Sequence, residues 1–203
     1  KKKNNIRTIL MCALIAILIV NLSYAIDPEE IQNGHVYLFE NFNGGNTVKD
    51  SSQAGLAGKV QGNPEPVKGI FGQALQFDGS SDGIHIPDSA NINTGGPFTN
   101  RTILAIFNCA NVSKSNKQTI FEEGGRTRGL VIYVFEDQLY VGGWNRAEYN
   151  WNGAWISTTI SSNRWYEVAM ILRDTTGKVE ADKFEMWVDG ELIDKEDGGQ
   201  LHA

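Results

Sequence analysis

Cysteine is nearly missing from this chain: two are present among 203 residues. Cys12 falls in the N-terminal apolar run, too near its start for a lipid-attachment site, so Cys109 is left without a partner and no intrachain disulfide holds the domain together. Its neighbours, Ile103 to Ala110, make it a buried, inert thiol. Stability must come from a hydrophobic core, which a chain of this length can build. Positive charge is scarce as well, with 18 Lys and Arg against 24 Asp and Glu. An acidic balance gives no electrostatic footprint for nucleic acid or an anionic membrane. Histidine is sparse: His35, His85 and His202 stand apart, with no metal-ligand spacing between them. There is no phosphate-cradling glycine loop and no EF-hand spacing. After residue 25, no apolar stripe at helical spacing persists long enough to predict a helix.

The one long apolar run, Thr8 to Val20, follows the basic KKKNNIR and precedes Ser23, Tyr24 and Ala25 in a small-x-small pattern. This layout predicts a secretory signal peptide over 1–25, cleaved before Ile26. The alternative is an uncleaved anchor, although spans usually need about 20 apolar residues. The first residue is not Met, which fits a sequence beginning inside its reading frame. Cleavage removes Lys1, Lys2, Lys3 and Arg7 but no acid, taking the formal charge from −6 to −10 and leaving no membrane span. The mature chain is expected to be secreted, periplasmic or at the cell surface. Residues 26–34 read as a linker, and order is expected from His35.

From there, short apolar runs alternate with Gly, Asn, Asp and Ser clusters, the pattern of an all-β domain with many tight turns. Strands are expected at His35–Glu40, Ala74–Phe77, Gly83–Ile86, Arg101–Asn108, Gln118–Glu122, Gly129–Glu136, Gln138–Gly142, Ala154–Thr159, Trp165–Arg173, Phe184–Val188 and Glu191–Asp194. Asp189-Gly190 suits a type I′ hairpin turn, and Glu136-Asp137 a similar one. The glycine pairs starting at Gly44, Gly95, Gly124 and Gly142 read as turns.

Several segments together resemble the laminin G-like domains of the concanavalin A-like group. They are VYLFEN at Val36–Asn41 with Asp50, Ser51 and Ser52, the GIFGQALQFDG block at Gly69–Gly79, Arg101–Phe107, EEGGRTRGLVIYVFEDQLYVGGWN from Glu122 to Asn145, the W-x-x-V-A strand at Trp165–Ala169, and the VDG hairpin at Val188–Gly190. The resemblance implies a two-sheet antiparallel jelly-roll sandwich over 35–203. Many members carry Trp where this chain has Phe107. Members also continue past the VDG hairpin with closing strands, so the domain is expected to lack its last strands.

Candidate chemistry lies in two places. Trp144, Asn145, Arg146, Tyr149, Asn150, Trp151, Asn152 and Trp155 gather flat rings, amides and a guanidinium, groups that stack on sugars and bond to hydroxyls. Trp144, Asn145, Arg146, Tyr149 and Trp151 are taken as the ligand-binding set; the alternative is that some of these rings cap the core. Asp50, Asp78 and Asp82 offer carboxylates from turns, with carbonyls around Gly79, Ser80 and Ser81, and Ca²⁺ favours such oxygen donors. The resemblance implies a structural calcium there, while Asp-Gly is also ordinary turn chemistry.

Glycosidase action needs two carboxylates about 5 to 9.5 Å apart. Glu185, Asp189 and Glu191 come nearest, but the Asp189-Gly190 turn separates them, and Glu122 and Glu123 point to opposite faces of a strand. The spot at Gly124–Arg128 reads as a solvated loop with ion pairing, and Asn100 and Asn111 open glycosylation sequons. The expected function is a secreted, non-catalytic recognition module for carbohydrate or a cell-surface protein. The alternatives are a structural protein–protein or adhesion module and, less favoured, a glycoside hydrolase.

Overall fold

A computed structural model describes residues 33–40 and 42–201; the signal segment, most of the linker and His202 lie outside the described residues. Every described element is a strand, and every pairing between strands is antiparallel. Contacts divide the chain into two compact units, the first ending at Pro87 and the second beginning at Asp88.

The first unit holds β1 (Thr47–Val48), β2 (Gly58–Gln61), β3 (Glu65–Lys68), β4 (Gln73–Gln76) and β5 (Gly83–His85). They form a three-stranded sheet in the order β1-β2-β5 and a separate β3-β4 hairpin. Val48 and Leu75 are buried, whereas Ile70, Phe71 and Phe77 from the Gly69–Gly79 block are exposed. The expected first strand at His35–Glu40 reduces to one bridge between Tyr37 and Asp50. Its backbone turns instead to the Asp50 carboxylate, which accepts the Val36 amide at 3.0 Å.

The second unit is a sandwich. One sheet runs β10-β9-β8-β7, from β7 (Gln118–Gly124), β8 (Arg128–Phe135), β9 (Gln138–Asn145) and β10 (Trp151–Thr159). The other runs β13-β12-β11-β6, from β6 (Arg101–Asn108), β11 (Trp165–Leu172), β12 (Glu180–Val188) and β13 (Glu191–Gly198). Period-two alternation decides what lies between them. In β11, Tyr166, Val168, Met170 and Leu172 point inward; in β12, Phe184, Met186 and Val188 do the same. Leu130, Ile132 and Val134 of β8 and Leu139 and Val141 of β9 meet them as one continuous core. Fully burying such a side chain contributes about 1.5–3 kcal/mol, so this shared interior is what joins the sheets.

The turns behave as their residues require. Asp189 and Gly190 both take positive φ, at 51° and 79°, and so do Glu136 and Asp137, at 47° and 65°. Both tight hairpins therefore have the φ signs of a type I′ turn, the hand that matches strand twist. Cys109 is half-buried, its thiol 3.7 Å from Gln118 Oε1.

Candidate functional site

Trp151 and Trp155 are four residues apart on β10, a spacing that places both on one face of a regular strand. They lie on opposite faces. Trp151 pairs with Asn145 and Ala154 with Gly143, so the strand carries one extra residue over Asn152 and Gly153. This bulge, with Gly153 at φ 124°, reverses the alternation. Trp151 consequently turns inward, 2 % exposed and edge-on to Phe184 at 5.7 Å. Trp155 turns outward and is 45 % exposed.

The sheet floor beneath Trp155 is built from what is missing. Gly142 stands opposite Trp155 in the register, and a Cβ there would overlap the indole's Cε3 and Cζ3. Gly129 stands opposite Trp144 in the same way, where a Cβ would come within 2.7 Å of Trp144 Cζ2. Each indole thus leans across onto a bare stretch of the neighbouring strand. Their planes are 15° apart with centroids separated by 5.7 Å. The Trp144 indole N–H donates to the Gly125 carbonyl at 2.9 Å, which fixes that ring.

Two more rings extend the platform. Tyr133 and Tyr140, opposite each other on β8 and β9, stack at 4.8 Å and 9°, and Tyr133 meets Trp155 edge-on at 6.4 Å. Aromatic pairs of this kind contribute about 0.5–1.5 kcal/mol each beyond burial. Burial, then the neighbouring Tyr140, push the Tyr133 hydroxyl above its ordinary pKa, so it remains a neutral phenol. At one edge the Lys117 ammonium sits 4.3 Å from the Tyr133 ring centre and 6.0 Å from that of Trp155. At the other, exposed Arg146 donates from Nε and Nη2 to the Asn152 carbonyl, each at 3.4 Å.

The expected ligand-binding set therefore divides. Trp144 and Arg146 lie on the outer face, and Trp155 and the two tyrosines join them. Tyr149 is half-buried in the loop after β9. Trp151 and Asn145 are corrections: both are core residues. Asn145 is fully buried, its amide donating to the Gln200 carbonyl at 2.9 Å, while its Oδ1 and the Trp151 Nε1 have no hydrogen-bond partner among the described residues. Gly142 and Gly143, expected to form a turn, lie inside β9.

The carboxylates expected to hold calcium are otherwise engaged. Asp50 is 3 % exposed and accepts from the amides of Val36, Ser52 and Leu56 at 2.9–3.0 Å, with the His35 imidazole 2.8 Å away. Burial raises its pKa, but these bonds outweigh it and hold the group well below the usual carboxylate range. Asp78 accepts from the amides of Ser80, Ser81 and Asp82 and from both serine hydroxyls. Asp82 accepts from the amides of Asn63 and Asp78. Oxygens that face so many N–H groups fit a capped turn. Among the described residues no group of three or more His, Cys, Asp or Glu could hold a metal ion.

The acids closest to a glycosidase pattern are also committed. Glu185 is 1 % exposed, gripped by Arg173 at 3.1 Å, Lys195 at 2.9 Å and the Trp187 indole at 2.8 Å. Its cover is the stems of these polar-tipped side chains rather than packed core. The Arg173 bonds lead in holding its pKa at about 2, against the opposing pull of desolvation. Asp189 is bonded to Arg164 and to the Glu167 amide. Glu123 is paired with Arg101 at 2.7 Å; desolvation raises its pKa and Arg101 partly offsets this.

No protein-family model matches the chain, and no curated protein matches it. Among solved structures, it is similar to the binding domain of Paraclostridial Mosquitocidal Protein 1, with a TM-score of 0.58 and 13 % identity over 82 % of this chain. That match spans 42 % of the other chain, so less than half of it is represented here. The chain also has a looser similarity to an S-layer domain-containing protein from Clostridium thermocellum, with a TM-score of 0.46 and 18 % identity, over 85 % of this chain and 75 % of that one. The first likeness concerns the fold alone and agrees with the all-β sandwich. The second is too loose to bear on topology.

Proposed function

We propose that this chain is a secreted or cell-surface recognition module that binds carbohydrate on the outer face of the β10-β9-β8-β7 sheet. The supporting observation is the exposed Trp155 indole, flat on Gly142 and nearly parallel to Trp144. A sugar ring presents its axial C–H bonds as an apolar face, and a flat indole accepts that face with little loss of side-chain freedom. The sandwich supports the rings on strands, which hold them more firmly than a loop would. Arg146 and the exposed amides Asn150 and Asn152 stand beside the rings as directed donors for hydroxyls. The residues we assign to this surface are Trp144, Trp155, Tyr140 and Arg146. The jelly-roll connectivity and the non-catalytic role belong to the same proposal.

A second reading has its own support. The outer face of the other sheet exposes Leu104 and Ile106 on β6 and Leu192 on β13, which suits contact with another protein. The two readings separate in one experiment. Trp155→Ala is expected to lower affinity for the bound glycan about 30-fold or more, the loss of roughly 2 kcal/mol typical of a central aromatic anchor, with the thermal transition retained. A folded wild-type chain that captures nothing on a broad glycan array overturns the carbohydrate reading and leaves the protein-contact one.

A further inference from the structure

Lys117 is placed against aromatic rings and not opposite an acid. Arg101, Arg128, Arg164, Arg173 and Lys195 all pair with carboxylates, and none of the ion pairs among the described residues uses Lys117. Its ammonium is held over the Tyr133 ring and within 6.0 Å of the Trp155 centre. Aromatic faces attract a cation electrostatically, so this charge stays at the platform without being neutralised. Arg146 supplies a second cation on the same face: among the described residues its guanidinium bonds the Asn152 carbonyl and is in no ion pair. Gly153, next to Asn152, lies against the Trp155 Nε1 and the Trp144 Cβ, which places Arg146 beside both indoles.

From this arrangement we propose that the platform selects anionic glycans, sugars bearing a carboxylate or sulfate, with Lys117 and Arg146 receiving the charge while Trp144 and Trp155 receive the ring. The inference rests on the carbohydrate reading above and specifies its ligand class. A substituent on a pyranose stacked over Trp155 projects from the ring edge, where an ammonium 6.0 Å from the indole centre can meet it. Glu122, the carboxylate that shares the outer face, is opposite Val131, and β8 and β9 lie between it and Trp155. That separation from Trp155 is about 14 Å at the usual strand spacing, and Lys117, over Tyr133 of β8, stands on the Trp155 side of Glu122. Glu136 and Asp137 occupy the β8-β9 turn, and the Asp137 carboxylate accepts from the Ser113 hydroxyl. Against the acidic balance of the whole chain, the two local cations set the preference at the platform.

The test is calorimetric titration of the purified chain with two pairs of probes. Hexagalacturonate is compared with cellohexaose for the carboxylate, and chondroitin sulfate hexasaccharide with its desulfated form for the sulfate. At least one charged probe is expected to bind ten-fold or more tightly than its comparator and to weaken as NaCl rises from 50 to 500 mM. Lys117→Gln is expected to remove that preference, Arg146→Gln to reduce it, and Lys117→Arg to keep it. Equal binding of charged and neutral probes, or a preference that survives Lys117→Gln, overturns the anionic assignment while the carbohydrate platform stands. Silence toward all four probes by a folded chain overturns the assignment, and silence extended across a broad glycan array removes the platform reading as well.

Discussion

Gly142 and Gly143 are adjacent on β9, yet the same substitution should do opposite things at the two positions. At Gly143 an added Cβ points into the core, 2.8 Å from Trp151 Cη2 and 3.0 Å from both Leu130 Cδ2 and Phe184 Cε2. Three buried groups cannot retreat together, so Gly143→Ala is expected to cost about 1–3 kcal/mol, the usual penalty for overpacking. At Gly142 the Cβ meets one indole, and that indole is 45 % exposed. Trp155 can lift by about 1 Å to regain an ordinary carbon–carbon separation. The strand meanwhile gains roughly 0.5–1 kcal/mol from replacing glycine, which offsets the weaker packing beneath the lifted ring. Gly142→Ala should therefore unfold within about 1 kcal/mol of wild type while its near-ultraviolet circular dichroism, which reports the Trp144–Trp155 geometry, changes. Urea denaturation and the dichroism spectrum of both variants provide the comparison. If Gly142→Ala proved as destabilising as Gly143→Ala, or left the aromatic spectrum untouched, the seat assigned to Trp155 would be wrong.

Three further outcomes follow from the charged groups. Glu185 is held at about 2 in the folded state, below its ordinary value of 4.5, so its contribution is present above pH 4.5 and fades as pH falls toward 2. Because Arg173 and Lys195 are half-exposed, Glu185→Gln should cost only about 1–2 kcal/mol at pH 7, and the gap should narrow in urea melts near pH 3; an equal gap at both pH values would contradict the assignment. Asp50→Asn should lower the thermal transition of the first unit, since one amide oxygen cannot replace the acceptors of three backbone N–H groups and His35, a loss of about 2–4 kcal/mol. A chelator should leave the wild-type transition where it is; a drop of several degrees would identify a bound cation.

The sandwich strands of the second unit were legible because their apolar residues alternate cleanly, as in Val168, Met170 and Leu172, and because Asp189-Gly190 punctuates them. The first unit was harder to read. GKVQ and EPVK, the segments of β2 and β3, hold one large apolar residue each, and neither has an alternation to detect. The density of aromatics pointed to the stretch that carries Trp144 and Trp155 but not to which rings face outward. Which of Trp151 and Trp155 faces outward depends on a bulge of one residue, and period-two counting has no means of locating a bulge. The signal that could have found the platform was Gly142 and Gly129, glycines inside strands rather than between them, each standing opposite a tryptophan. Reading Gly142 and Gly143 as a turn concealed it.

Strand β6 ends the order of its sheet, and from Thr102 to Asn108 it contains no charged residue. Leu104 and Ile106 project outward from it, 53 % and 42 % exposed. A short, uncharged, β-prone segment at a sheet edge has the features by which chains pair with copies of themselves before they finish folding. Refolding yield of this protein should accordingly fall as concentration rises, and Leu104→Lys should recover much of it without touching the β10-β9-β8-β7 sheet.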